Sequence, residues 1–476
     1  MLFNSLQFAV FFIIVYALYL ALNHKWQNRM LLVASYIFYG AWDWRFLILL
    51  WISTTIDYFC GIKIYDAQDT KKRKLFLALS VLGNLSILGF FKYFNFFAAN
   101  LQVLLNFFGF HLQPRFLHIV LPVGISFYTF QAMSYTIDIY RNRLKPARKF
   151  SDLALFIVFF PQLVAGPIER ASHLLPQVLS PRRLSWDKFY EGCYLICWGL
   201  FMKVFIADNL AKIVDPVFAA LPPYNGAMVL LALYAFAFQI FCDFAGYSHI
   251  ARGLGKCMGF DIMVNFNLPY FATNPREFWQ RWHISLSSWL RDYLYIPLGG
   301  NKKGGFLTYR NLAITMLLGG LWHGAAWTFF IWGAYQGILL VGHRLLEPVL
   351  KDIPQPRSIF AHRVWFMLRV LFFFNLVCLG WLMFRAHSLG QAWHMLHDVA
   401  FNFHITGASG FFSALRMFIG CIWFLLIIQT FQFIKKDLLV VFKWHWALQG
   451  VVYFMIIFML ATFGVDSARE FIYFQF

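Results

Sequence analysis

The chain carries little charge for its length. Only 13% of its 476 residues are Asp, Glu, Lys or Arg, against 61% hydrophobic and 21% aromatic. A soluble domain carries roughly twice that charged fraction, so a water-soluble globule is excluded. The alternation of polar and apolar residues that marks a membrane β-barrel is also missing. Apolar residues come instead in long runs between residues 2 and 463. Backbone in lipid must satisfy its own hydrogen bonds, so these runs are helices. At ~20 residues per crossing they predict an all-α polytopic membrane protein with about a dozen membrane helices, re-entrant segments and an interfacial helix. The seven cysteines include no CxxC pair, which leaves no disulfide or zinc signal. A Gly-rich phosphate loop, a nucleophile-elbow serine and a zincin motif are absent too. The first apolar run, 2–22, lacks a charged leader and a small-residue cleavage site, and reads as a retained helix. With no tandem repeat or flexible linker, the chain reads as one membrane domain over 1–476.

What charge there is leans positive. Forty Lys and Arg against 21 Asp and Glu give a formal charge of +19. These cations sit in loops, as the positive-inside bias and anionic membrane lipids require. A polyanionic cosubstrate such as coenzyme A would use them equally well. The basic stretches 24–29, 71–74 ("KKRK") and 141–149 ("RNRLKPARK") are all expected on the cytoplasmic side. Three apolar segments (75–93, 94–110 and 118–140) separate the last two, an odd number, which predicts that one is re-entrant. The segment 152–168 contains Pro161, Gly166 and Pro167, too many breakers for a full crossing.

The stretch 273–303, "TNPREFWQRWHISLSSWLRDYLYIPLGGNKK", is too polar to cross. Asn274 can cap a helix, Pro275 suits its first position, and Glu277 completes a capping box. Pro297 and Gly299–Gly300 end it. Phe278, Trp282, Leu286, Trp289 and Tyr293 share one face, with Arg276, Arg281, Arg291, Lys302, Lys303 and Arg310 around it. One reading is an aromatic interfacial helix that touches lipid phosphates. The other is a docking surface for a phosphate-bearing cosubstrate, with His283 directed at the reacting group.

Residues 312–346 would span ~52 Å as one straight helix, against a ~30 Å hydrocarbon core. The run must bend, and Gly319, Gly320 and Gly324 mark the place. His323 lies among them in "GGLWHGAAW". It is either a packing residue between helices or a functional one, since ionisable groups within membranes are functional candidates. Burial disfavours imidazolium, so a neutral ring able to accept a proton is expected. Asp243, in "FCDFAGYSH", reads as the partner of a buried Arg or hydroxyl. His387, His394, His397 and His404 with Asp398 match no zinc spacing. The chain ends in "REFIYFQF", an aromatic tail of the kind that anchors at membrane interfaces.

Several stretches together resemble the membrane-bound O-acyltransferase (MBOAT) family, particularly its bacterial branch of alginate and other cell-surface-polysaccharide O-acetyltransferases. They include "SYIFYGAWDWRF" (35–46), "PVGISFYTFQAMSYTIDIYR" (122–141), "FFPQLVAGPIER" (159–170), "RWHISLSSWLRDYLYIPLGGN" (281–301), "LWHGAAW" (321–327) and "GWLMFRAHSL" (380–389). The resemblance implies a catalytic core over about 118–346, with His323 as catalytic residue and His283 as its partner. It implies acetyl-CoA as acyl-donor substrate, met by Arg276, Arg281, Arg291, Lys302 and Lys303, with no bound cofactor and no metal. The implied setting is the bacterial inner membrane, with a separate periplasmic protein passing acetyl to an extracytoplasmic polysaccharide. Tyr473, in a tail similar to that of the small membrane peptide serving the D-alanyl-transferring branch, becomes a candidate acyl relay. At Ala245 and His249, many relatives carry Ser and Asp. A transporter or flippase for a lipid-linked sugar is the competing reading, as is an acyltransferase for a lipid or protein acceptor.

Overall fold

Backbone groups denied water pair within helices, and among the described residues of the computed structural model there is no strand. Those residues are 1–110, 116–302, 304–352, 354, 356, 358–405, 408–465 and 471–472. Lys303 and Tyr473 lie outside them. In chain order the first helices are α1 (Leu6–Ala21), α2 (His24–Asp43), α3 (Leu47–Asp66), α4 (Thr70–Leu88), α5 (Phe94–Phe107), α6 (Ile125–Tyr140), α7 (Phe150–Val158), α8 (Phe160–Leu163), α9 (Ala171–Leu179) and α10 (Trp186–Leu200). Then come α11 (Asp208–Ala219), α12 (Gly226–Cys257), α13 (Pro275–Arg281), α14 (Ile284–Leu290), α15 (Gly305–His323), α16 (Trp327–Lys351), α17 (Ile359–Arg385), α18 (Leu389–Phe401), α19 (Ala408–Lys435) and α20 (Trp446–Phe463). Seven continuous helical segments of the described residues are long and apolar enough to cross a membrane. The protein is an all-α, multi-pass membrane protein.

Two local findings refine the sequence reading. The apolar stretches 75–93 and 94–110 are one continuous helical segment, Thr70–Phe107, in which a π turn at Gly89–Tyr93 joins α4 to α5. That removes one of the three segments expected between the two basic clusters. α7, by contrast, is nine residues long, and Leu153–Val158 are buried. At ~1.5 Å per residue it is far too short to cross.

The chain divides into two compact units, residues 1–196 with 248–263, and residues 197–247 with 264–476. In the first, a polar network sits inside apolar packing. Asp57 of α3 accepts hydrogen bonds from Ser80 (2.5 Å) and Asn84 (3.0 Å) of α4, and Ser80 also meets Thr136 of α6 at 2.8 Å. All four side chains are buried. Where lipid offers no alternative partner, such mutual satisfaction holds three helices in one register.

In the second unit, the run 312–346 breaks where its glycines predict, between His323 and Trp327. Gly324 is the C-cap of α15, and Ala326 the extended N-cap of α16. Gly320 and Gly333 do different work: they let the two helices touch backbone to backbone. A Cβ on Gly333 would stand 2.5 Å from the carbonyl oxygen of Met316 and 3.2 Å from Cα of Gly320. Gly333→Ala is therefore expected to lower the melting temperature of the detergent-solubilised protein, by an overpacking cost of about 1–3 kcal/mol. Gly342→Ala on the same helix, where an added Cβ meets nothing within 4 Å, should not.

Candidate active site

The stretch 273–303 starts as its punctuation predicts. Asn274 accepts the Glu277 backbone N–H at 2.9 Å, and Glu277 accepts the Thr273 N–H in return. It does not continue as one helix. α13 ends at Arg281, Trp282 is extended, and His283 takes a left-handed backbone (φ +44) before α14 begins. Such a φ is uncommon for a non-glycine residue and persists only where the surroundings enforce it.

Asn265 supplies that enforcement. Its main-chain carbonyl accepts the Ile284 N–H at 2.9 Å. Its side-chain oxygen accepts the Ser285 N–H (3.2 Å) and the Ser285 hydroxyl (2.9 Å). Two residues on, Asn267 donates its N–H to the Arg281 carbonyl at 2.9 Å. The kink is thus laced to the preceding loop on both sides.

The same oxygen decides the protonation of His283. Nδ1 of the ring lies 3.2 Å from Oδ1 of Asn265. Because a backbone N–H can only donate, the Ser285 contact identifies that atom as oxygen, and Nδ1 must carry the proton. Nε2 then presents a lone pair. The ring is fully buried, and burial pushes its imidazole down to about 3, so it is neutral near pH 7. A neutral ring in this tautomer can hold or take a hydroxyl proton. It has no Nε2–H to offer an oxyanion.

His323, the last residue of α15, is 4% exposed, and its ring centroid lies 6.3 Å from that of His283. Aromatic rings box the pair. Trp332 and Phe384 stand edge-on to His323 at 5.0 and 5.4 Å, and Phe244 edge-on to His283 at 4.6 Å. His323 lines a cavity of about 640 Å³ between α13–α14 and α15–α16. Trp279, Leu286, Leu290, Met316 and Trp332 give it apolar walls, with the polar Gln280, Ser287, Ser288 and Thr315 among them. Arg276, Arg291, His343, Arg344 and Glu347 also line it.

The expected cations fare unequally. Arg276 and Arg291 line the cavity. Arg281 instead grips Glu277 one turn back at 2.8 Å and the carbonyl of Asn267 at 3.2 Å, and is not among the lining residues. Lys302 is exposed and does not line the cavity either, and Lys303 lies outside the described residues. Arg344 and His343, which the reading of 273–303 missed, come from the end of α16. The signal for them was the charged cluster "HRLLE" that closes the apolar run.

Asp243 has an unexpected partner. It pairs with Lys203 at 2.6 Å, and Lys203 also reaches Asp208 at 2.9 Å, all three buried. Its other oxygen accepts the backbone N–H of Ile472 at 2.7 Å. Phe471 packs against Phe244 and Tyr247, with centroids 5.3 and 5.0 Å away. The residue after Ile472 is Tyr473.

Comparison with known proteins identifies the family. Residues 148–384 match the family model of the membrane-bound O-acyltransferases. The chain is 45% identical over 398 residues to the probable alginate O-acetylase AlgI of Azotobacter vinelandii, covering 83% of this chain and 77% of that protein. The chain belongs to the membrane-bound O-acyltransferase family. It is 36% identical over 402 residues to the peptidoglycan O-acetyltransferase of Helicobacter pylori, covering 79% of this chain and 74% of that protein. A teichoic acid D-alanyltransferase of Bacillus subtilis shares 28% over 288 residues, 58% of this chain and 70% of that protein. As a family member the protein is an acyltransferase, and the transporter reading falls away.

Asn265→Ala should remove the acceptor of one backbone N–H, one hydroxyl and the His283 ring together. Each orphaned buried group costs about 1–3 kcal/mol. A large fall in melting temperature and in acyl transfer is expected. Ser285→Ala, which leaves the Asn265 acceptor in place, should show a smaller fall in both.

Proposed function

We propose that the protein is an O-acetyltransferase of the bacterial inner membrane, which takes acetyl from cytoplasmic acetyl-CoA for O-acetylation of a cell-surface polysaccharide. The alginate and peptidoglycan O-acetylating relatives support the acceptor class. The observation that carries the reading is the cavity that joins arginines to His323. A thioester on a long polyanionic carrier needs both: cations for the phosphates, and a dry apolar end where water cannot compete for the acyl group.

In the proposed reaction, a ring nitrogen of His323 takes the proton of an acceptor hydroxyl as its oxygen attacks the thioester carbonyl. The carbon–sulfur bond breaks, the proton passes to the departing sulfur, and CoA leaves as the free thiol. His283, whose Asn265 contact makes Nε2 an acceptor, flanks the His323 ring at 6.3 Å between centroids and orients the acyl donor. Proton transfer of this kind contributes about 10²–10⁴-fold. His323→Ala should abolish transfer while the melting temperature stays near wild type; an active, stable mutant would remove His323 from the mechanism. Arg344→Glu and Arg276→Glu should raise KM for acetyl-CoA more than they lower kcat, and Arg281→Glu should affect KM less.

The acceptor polymer lies across the membrane, which calls for a relay and for a separate extracytoplasmic protein to complete transfer. The tail is the candidate relay. Ile472 is tied to Asp243, and Phe471 is fully buried. The hydroxyl of Tyr473 would take acetyl as a phenyl ester and pass it on. Tyr473→Phe keeps the ring and removes only that hydroxyl. It should leave polymer O-acetylation in cells near zero; normal acetylation would make the tail an anchor only.

A further inference from the structure

α15 and α16 use two faces. Thr315, Gly319 and His323 turn toward the cavity. Ala313, Leu317, Gly337 and Ile338, from a different side of the same two helices, line an apolar groove of about 530 Å³. Its floor is shallow-sided because its residues are small. A Cβ on Gly337 would only just touch Cα of Ala313 at 3.6 Å, and Gly342 has nothing within 4 Å. Phe306 (80% exposed) and Ile338 (68%) stand open along it. The single charged side chain among its described lining residues is Arg310, exposed, whose one neighbour in hydrogen-bond range is the neutral amide oxygen of Asn311.

The first unit holds a second groove of the same design. Between α1 and α2, a channel of about 450 Å³ runs past the apolar Ile14, Leu18, Val33 and Ile37. Its one charged lining residue is Arg29, whose guanidinium lies 4.7 Å over the Trp26 ring. Length identifies the occupant. The α15 stretch from 306 to 317 and the α1 stretch from 11 to 22 each span ~16 Å at 1.5 Å per residue. That is about half of a ~30 Å hydrocarbon core, one leaflet deep. A partner transmembrane helix would need a groove of full thickness, and would have no use for a lone cation at one end.

We propose that each groove holds one acyl chain of an anionic phospholipid, with the headgroup phosphate on Arg310 in one and on Arg29 in the other. The α15–α16 groove lies on the side of that helix pair away from the cavity that His323 lines. One arginine at a headgroup is worth about a fivefold gain in affinity.

The test is native mass spectrometry of the full-length protein released from vesicles of phosphatidylglycerol or of phosphatidylcholine. Wild type should retain two phosphatidylglycerol molecules and markedly less phosphatidylcholine. Arg310→Gln and Arg29→Gln should each lose one, with about fivefold weaker titration, and the double variant both. Gly342→Leu places its Cβ in open space and its branch in the groove, so it should keep its melting temperature yet lose the α15–α16 lipid. Equal retention of the two lipids overturns the proposal, as do unchanged counts in the arginine variants. So does a photo-crosslinker at Ile338 that captures a polypeptide rather than lipid.

Discussion

One side-chain amide carries much of the catalytic geometry. A histidine that must turn out of a helix inside a protein leaves backbone donors behind it, and in a membrane-embedded fold no water replaces the lost acceptors. Asn265 takes the Ser285 N–H and hydroxyl on its side chain and the Ile284 N–H on its carbonyl. With those groups satisfied, the left-handed residue at 283 becomes tolerable. The same oxygen receives the Nδ1 proton and so selects which ring nitrogen is basic. Fold and chemistry meet in that atom. The surrounding rings of Phe244, Phe266 and Trp322 then confine the imidazole by contact.

The buried ions of the second unit follow the same logic at higher stakes. Lys203 inside apolar packing would be untenable alone, and two aspartates at 2.6 and 2.9 Å offset its desolvation. Two carboxylates against one ammonium leave a surplus of negative charge, and further donors must meet it. The backbone N–H of Ile472 is one of them. Ile472 is therefore part of the ion cluster, and Phe471 fills the space beside Phe244, which also packs against His283 and Phe266. Phe471, the ion cluster and His283 meet around one packed ring, Phe244.

How much of this was legible in the sequence depends on which interactions are local. The break after His323 was readable, because glycine density and an overlong apolar run are properties of adjacent residues. The α13 start was readable for the same reason, down to the capping contacts of Asn274 and Glu277. The kink at 283 was not, because the sequence there reads as continuous helix and the acceptor that permits the turn lies 18 residues earlier. Arg281 resembled its neighbours in charge and spacing, yet a carboxylate one turn back claims it. Lys203 passed unnoticed in "FMKVFIAD", since the aspartate that draws it inward, Asp243, is forty residues away. Local signals fixed where helices start and stop. Long-range pairing decided which charged side chains were available for chemistry.

The position of His323 at the end of its helix bears on how a neutral base can work in so apolar a place. The proposed proton transfer places positive charge on a ring only 4% exposed, where that charge needs compensation. α15 ends at His323 because the chain becomes extended at Gly324, so the C-terminal pole of the helix falls beside the ring. A helix C-terminus favours nearby positive charge by about 0.3–1 kcal/mol, and by up to ~2 kcal/mol in partly buried settings. The break in the helix therefore does more than bend the chain. It leaves a fixed negative pole beside the ring that becomes positive only when a proton arrives. The same break holds the ring against Trp332 and Phe384, with centroids at 5.0 and 5.4 Å. A straight helix through 324 would have supplied the histidine without the field that makes its charged form tolerable.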